Sequence, residues 1–220
     1  MSDVPGPLIA SGRSADIYDI GGGRVVRRRR NGPVSDDEVL AMRAASVAGI
    51  PVPHVFAVDG ADMVMQHLDG RSMLDELGRR PWRAAHLGRQ LADLHLALRA
   101  VPAPDGLRGS GTTLVHGDLH PGNVLMSADG PVIIDWGGAS AGAPDEDAAE
   151  MWLLAEVAEV DDLSPLMRPV VGIVRRRMLA AFIERVGRPS PTTLARVCDD
   201  RLGDPNTRPG ERDRIRRLRP

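Results

Sequence analysis

The chain has 220 residues and a formal charge of −2, and every one of its 28 basic residues is an arginine. Without lysine there is no phosphate loop of the G-x-x-x-x-G-K-S/T kind, no Schiff-base lysine and no Ser-x-x-Lys acyl-transfer site. Any cation that handles phosphate must then be a guanidinium, which is forked and permanently charged. GC-rich coding is the simplest origin of the bias. A near-neutral charge argues against a nucleic-acid partner. An apolar share of 42% is a globular value, and a chain of this length buries about 70% of its unfolded surface. The lone Cys198 reads as a reduced thiol, which points to a cytoplasmic protein. No apolar run reaches the ~18 residues of a membrane span, and the first residues lack a secretory pattern.

Leu8–Ala10, Ile17–Ile20 and Val25–Arg27 read as strands, the last two turning at Gly21–Gly23. Ser35, Asp36, Asp37 and Glu38 form a capping-box pattern that opens a helix over Asp36–Ala48, ended by Gly49. Val39, Met42 and Val47 are its expected half-buried face. Val55–Val58 and Met63–Met65 flank Asp59-Gly60 as a hairpin. After Gly70 the period becomes helical. A short helix is expected at Ser72–Leu77 and a long one at Pro81–Leu98, with Leu87, Leu91, Leu94 and Leu98 on one stripe and Asp93 and His95 as exposed or packing residues. Residues 112–135 read as two short strands around a polar loop. Helices follow at 147–160 and 165–186, with further helix near Leu194–Leu202 and 210–218. The composition change places a boundary near residue 66, dividing the chain into lobes 1–66 and 67–220.

The stretch with the most chemistry is His116-Gly117-Asp118-Leu119-His120-Pro121-Gly122-Asn123, followed by the strand Val132–Ile134 and Asp135. An Asp, an Asn five residues later and an Asp at the end of the next strand follow the logic of a kinase catalytic loop. One carboxylate orients and deprotonates a hydroxyl, while the amide and the second carboxylate offer hard oxygens to Mg2+.

These residues, with Ile134-Asp135-Trp136-Gly137-Gly138-Ala139 and Gly142-Ala143-Pro144-Asp145-Glu146-Asp147-Ala148-Ala149, resemble the aminoglycoside phosphotransferase and choline kinase-like family. The resemblance is strongest over residues 116–149. It implies an α+β, two-lobed protein-kinase-like fold: a small antiparallel N-terminal sheet with one helix, a mainly helical second lobe, and ATP (or GTP) between them. It implies that Asp118 is the catalytic base, that Asn123 and Asp135 hold Mg2+, and that His116 and Asp147 support the loop. It places nucleotide contacts at Gln66 and Leu68, and at Arg27 and Glu38, where the family has a strand lysine and a helix glutamate. The Ser11–Asp16 turn has one glycine in place of a glycine-rich loop.

Alternatives stand at several of these positions. Arg28 is the fallback for Arg27, and Arg27 also fits a solvated run through Arg30. Glu38 also fits a plain capping box. The expected activity is transfer of the γ-phosphoryl group to a hydroxyl of a small molecule, such as an aminoglycoside-like or other cationic metabolite. The competing class is a non-enzymatic nucleotide-binding or regulatory module. Asp145, Glu146, Glu150, Glu156, Glu159, Asp199 and Asp200 are the candidate acidic wall for a cationic acceptor.

Overall fold

The computed structural model describes residues 6–12, 14–157, 164, 167–205 and 207–220. Five strands, β1 (Leu8–Ser11), β2 (Ala15–Gly21), β3 (Arg24–Arg29), β4 (Val55–Asp59) and β5 (Asp62–Gln66), form an antiparallel sheet in the order β1-β2-β3-β5-β4. Helix α1 (Asp36–Val47) joins β3 to β4 and packs behind that sheet. Strand β5 ends at Gln66.

The rest is mainly helical. A two-residue strand β6 (Arg71–Ser72) leads into α2 (Met73–Arg79), whose first turn is capped by the Ser72 hydroxyl accepting from the Asp75 N–H. A 3-10 turn at Pro81–Arg83 precedes α3 (Ala84–Arg99). Strands β7 (Thr113–Val115), β8 (Val124–Ser127), β9 (Gly130–Ile133) and β10 (Ser140–Gly142) carry the central loops. Helices α4 (Glu146–Val157), α5 (Met167–Val186), α6 (Pro191–Gly203) and α7 (Pro209–Leu218) close the chain. The expected helix residues 158–160, 165 and 166 lie outside the described residues, as do Arg13 of the first turn and Glu159 of the acidic wall. Among the described residues no helix is long and apolar enough to cross a membrane.

The Leu87/Leu91/Leu94/Leu98 stripe of α3 is buried in the core, and α3 also packs against α5. Each such leucine contributes roughly 1.5–3 kcal/mol by leaving water. The two helices approach so closely that a Cβ on Gly88 would lie 2.3 Å from the Met178 carbonyl oxygen. The core runs without a break from Met42 and Met63 to Leu119, Ile133 and Trp136, so the sheet with α1 and the helical part share one apolar interior. A second cluster, Ala149, Leu153, Leu194, Val197, Cys198 and Ile215, seals α4 against α6 and α7.

Two expectations differ from the structure. The buried residues of α1 are Glu38, Ala41, Met42 and Ala45, a stripe at helical spacing, whereas Val47 is 91% exposed. The central region holds three strands before Asp135, not two, because β7 pairs with the later β10 while β8 and β9 form their own hairpin. Arg212 of α7 joins two helices. Its guanidinium donates to the carbonyls of Leu202, Asp204 and Thr207 and so fastens the end of α6 to the start of α7.

Candidate active site

Strand β7 delivers His116, Gly117 and Asp118 to one end of the helical part. At the N-terminus of α4, Asp147 accepts the His116 N–H at 2.9 Å and the Gly117 N–H at 2.8 Å, one on each carboxylate oxygen. Burial raises the Asp147 carboxyl to about 6, against the pull of those two N–H groups. Gly117 has φ +77°, and a Cβ there would lie 2.6 Å from the Gly138 carbonyl oxygen, so the tight turn before Asp118 needs glycine.

His116 is fully buried and its ring is fixed at both nitrogens. Nε2 donates to the Ile134 carbonyl at 3.0 Å, and Nδ1 accepts the Asp118 N–H at 3.3 Å. That pattern requires the neutral ring, and burial lowers its pKa to about 4. His116 thus joins the two strand ends that carry Asp118 and Asp135.

The Asp118 side chain is 53% exposed. Asn123, at the end of a 3-10 turn over Pro121–Asn123, donates its Nδ2 to the Asp118 backbone oxygen at 2.9 Å and to Oδ2 at 3.0 Å. His120 Nε2 lies 3.5 Å from Oδ1, and its Nδ1 accepts the Gly122 N–H. Burial raises the Asp118 carboxyl, but His120, then His116 and the Asn123 amide, outweigh it and hold the group below the usual carboxylate range. Asn123 also ties to the next strand, its carbonyl accepting the Ile134 N–H at 2.9 Å. Asp135 follows in the left-handed region at φ 63°, the one non-glycine residue there among those described. Such a conformation costs on the order of 1–3 kcal/mol and marks functional sites more often than ordinary turns.

His95 is a residue the sequence reading underrated. It is buried on α3, and its Nε2 donates to the Leu119 carbonyl at 3.2 Å, bracing the loop from behind. Burial holds its pKa down to about 3, so the ring stays neutral. Asp93, by contrast, is exposed and pairs with Arg185.

The sheet supplies the opposite wall. Arg27 on β3 points into the cleft, 12% exposed, and pairs with Glu38, whose side chain is 1% exposed. A second nitrogen of Arg27 lies 3.6 Å from Asp135 Oδ1. Arg28 faces away and is held bidentately by Asp62 at 2.7 and 2.6 Å. Arg30 pairs with Asp16 and the Ser11 hydroxyl. The arginine run therefore divides, and Arg27 alone of the three lines the cleft. The capping box does not form, since Ser35 makes no side-chain cap. Glu38 is turned inward to Arg27 and is unavailable to the start of its helix.

Two cavities lie near these strand ends. One of about 620 Å³ lies between the sheet and the helical part and is lined by Ala15, Val25, Met65, Gln66, Leu68 and Ile134, with Arg27, Glu38 and Asp135 at its polar end. The Gln66 N–H is given to His54 and the His67 N–H to Gly23; Leu68 makes no backbone hydrogen bond among the described residues. A second cavity, of about 190 Å³, opens beside Asp118 and is lined by Leu119, Met151, Leu154 and Val157, with Glu150, Asp200, Arg201 and Asp204.

The expected acidic wall is mostly committed elsewhere. Asp145 accepts from the Ser190 N–H and the Thr193 hydroxyl, Glu146 pairs with Arg196, Asp199 pairs with Arg219, and Glu156 is exposed. Of the expected acids, Glu150 and Asp200 line the second cavity, joined by Asp204. Burial, reinforced by Asp147, Glu146 and Asp118, pushes Glu150 up to about 8, with Arg201 pulling the other way. The folded chain thus keeps a proton that the unfolded chain releases near pH 4.5. Stability therefore falls as pH rises from about 4.5 to about 8 and falls no further above that. Glu150→Gln is expected to raise Tm at alkaline pH and to leave it unchanged near pH ~4. Thermal melts across pH check this; equal Tm values at both ends would show a solvated Glu150.

Comparison with known proteins agrees with this geometry. The model of the phosphotransferase enzyme family matches residues 98–166, the segment that carries Asp118, Asn123, Asp135 and Asp147. No curated protein sequence matches the chain. Among solved structures, an aminoglycoside phosphotransferase, APH(4)-Ia, in ternary complex with ADP and hygromycin B is similar at 15% identity and a TM-score of 0.61, over 96% of this chain and 92% of that one. A choline/ethanolamine kinase family protein from Mesorhizobium loti is similar at 16% identity and a TM-score of 0.58, over 91% of this chain and 76% of that one. An APH(2")-type enzyme in complex with GDP and kanamycin matches at 18% identity and 0.59, over 90% and 84%. The fold is the two-lobed kinase-like fold of these proteins, and the resemblance read from residues 116–149 is borne out.

Proposed function

We propose that the chain is a small-molecule kinase that moves the γ-phosphoryl group of ATP (or GTP), with Mg2+, to an acceptor hydroxyl. The observation that carries this is the position of the loop. Asp118 lines one cavity and Asp135 the other, and the two strand ends bearing them are tied together through His116, Asn123 and Ile134. A nucleotide in the larger cavity would meet an acceptor in the smaller one at Asp118.

Asp135, at the polar end of the larger cavity, and Asn123 fit a magnesium ion. Asp135 offers an exposed carboxylate, and Asn123, with its Nδ2 turned to Asp118, has its amide oxygen left for another partner. Both are hard oxygen donors, and two protein ligands leave positions for phosphate oxygens and water. When bound, the ion neutralises charge on the transferring phosphates. Asp118, held ionised, accepts the proton of the acceptor hydroxyl as the new oxygen–phosphorus bond forms and the bond to the β-phosphate oxygen breaks. Asn123 and His120 fix the rotamer of that carboxylate. Arg27, oriented by Glu38, offers its fork to the α/β-phosphates. Leu68, beside Gln66, would offer backbone groups to the base.

The acceptor reading follows from the smaller cavity. Its apolar side and its carboxylates Asp200 and Asp204, with the protonated Glu150 as a neutral hydrogen-bonding group, suit a compact amphipathic cation, such as an amino alcohol or one ring of an aminoglycoside. One observation favours the alternative of a non-catalytic nucleotide-binding module: Arg27 already sits against Asp135, where a metal would bind. Thermal shift separates the readings. Mg·ATP or Mg·GTP at about a hundred times its Kd is expected to add about 2.7 kcal/mol of stability. Nucleotide consumption should then appear with a member of an amino-alcohol and aminoglycoside panel. Binding without turnover across that panel supports the module, and no shift with either nucleotide defeats both.

A further inference from the structure

We propose that Arg108 is a positioning residue that latches helix α1 to the segment after Asp135, keeping Glu38 against Arg27 without modification or a partner. The proposal rests on the phosphotransferase reading only for what the Arg27–Glu38 pair is used for.

Arg108 lies in the loop between α3 and β7, and its described polar groups all lead to two places. Its backbone N–H donates to Asp37 Oδ1 at 3.1 Å, in the first turn of α1 and next to Glu38. Its Nε donates to the Ala139 carbonyl at 2.8 Å, and Nη2 to the Gly137 carbonyl at 3.3 Å. Its own carbonyl accepts the Ala141 N–H at 2.7 Å. A planar guanidinium serves two carbonyls of one turn at once, which a single ammonium does less well.

The loop is built to stay there. Leu107 is buried in the core, Gly109 bridges to Ala141, and the Gly111 N–H donates to the Ala141 carbonyl. A Cβ on Gly109 would lie 2.3 Å from the Ala141 oxygen, so backbone runs against backbone. Helix α1 needs an outside hold at this end because Ser35 supplies no side-chain cap. In protein kinases, phosphorylation of a long activation loop controls the corresponding helix. Here the segment from Trp136 to Gly142 is short, and its one hydroxyl residue, Ser140, is paired in β10 with Val115. Arg108 supplies from the helical part what such a modification would otherwise supply.

The test uses the full chain, with hydrogen exchange read by mass spectrometry and Mg·ATP affinity read by calorimetry. Arg108→Ala removes about two hydrogen bonds to the turn, so exchange over 36–47 and 136–142 is expected to rise about tenfold, with β1–β3 unchanged. Mg·ATP affinity is expected to fall about tenfold, and saturating nucleotide to restore protection of α1. Arg108→Lys should fall between the two. Asp37→Ala should loosen 36–47 while 136–142 keeps its protection. A lower Tm with unchanged affinity and unchanged α1 exchange would overturn the proposal and leave Arg108 merely structural. Should the wild-type chain bind neither ATP nor GTP, the phosphotransferase reading falls. The exchange pattern then decides the latch alone, and wild-type exchange in Arg108→Ala overturns it.

Discussion

Asp118→Asn is expected to lower phosphoryl transfer by about three orders of magnitude while nucleotide affinity and folding stay near wild type. The substitution keeps the size of the side chain. The asparagine oxygen can still accept the Asn123 amide that now lies 3.0 Å from Oδ2. It removes the negative charge that His120 and His116 stabilise, and with it the carboxylate that the loop presents to the smaller cavity. Since the side chain is half exposed, no buried partner is stranded, and the expected stability change is within about 1 kcal/mol. Single-turnover transfer with a responding acceptor, set beside Mg·ATP affinity and Tm, measures all three quantities. Full turnover in the variant would remove Asp118 from the role of base. A parallel loss of nucleotide affinity would assign it to the metal instead.

The parts of this site that could be read from sequence are those written on one short stretch. His116, Asp118, Asn123, Asp135 and Asp147 fall within 32 consecutive positions, and short strands leave little freedom in where their ends go. Arg27 and Glu38 needed the structure, because strand alternation separates Arg27 from Arg28 without saying which face meets the cleft. The side that carries Asp62 and Tyr18 settled it. His95 has a signal in the sequence. It stands four residues after Leu91 and three before Leu98, which puts it on the buried stripe of α3. Arg108 had none. One arginine among 28, in a loop, is defined only by the carbonyls it meets, and those belong to a segment some thirty residues later. The pairing of β7 with β10 was hidden for the same reason, since nonlocal strand partners leave no local pattern. Glu150 stood out from the other acids only once each of its neighbours had been given a partner.

Arg27 carries the second large effect, and its two substitutions separate its two partners. Glu38 is 1% exposed, its Oε2 has no hydrogen-bond partner among the described residues, and Arg27 is its one ion-pair partner there. Arg27→Ala therefore strands a buried carboxylate and is expected to cost about 3–5 kcal/mol of stability. Arg27→Lys is the finer probe. A lysine ammonium can satisfy Glu38, so the fold should persist with a modest loss. It is a single point of charge, however, and cannot at the same time span the 3.6 Å approach to Asp135 and present a fork to phosphate. Mg·ATP affinity is then expected to fall about tenfold, for the loss of about one charge-assisted hydrogen bond. Calorimetry on the wild type and Arg27→Lys decides it. Equal or tighter binding by the lysine variant would show that the arginine is a drift of composition, as in the rest of a chain without lysine. Weaker binding would show that this cleft is shaped around the guanidinium, with Glu38 and Asp135 set at the distances its fork can reach.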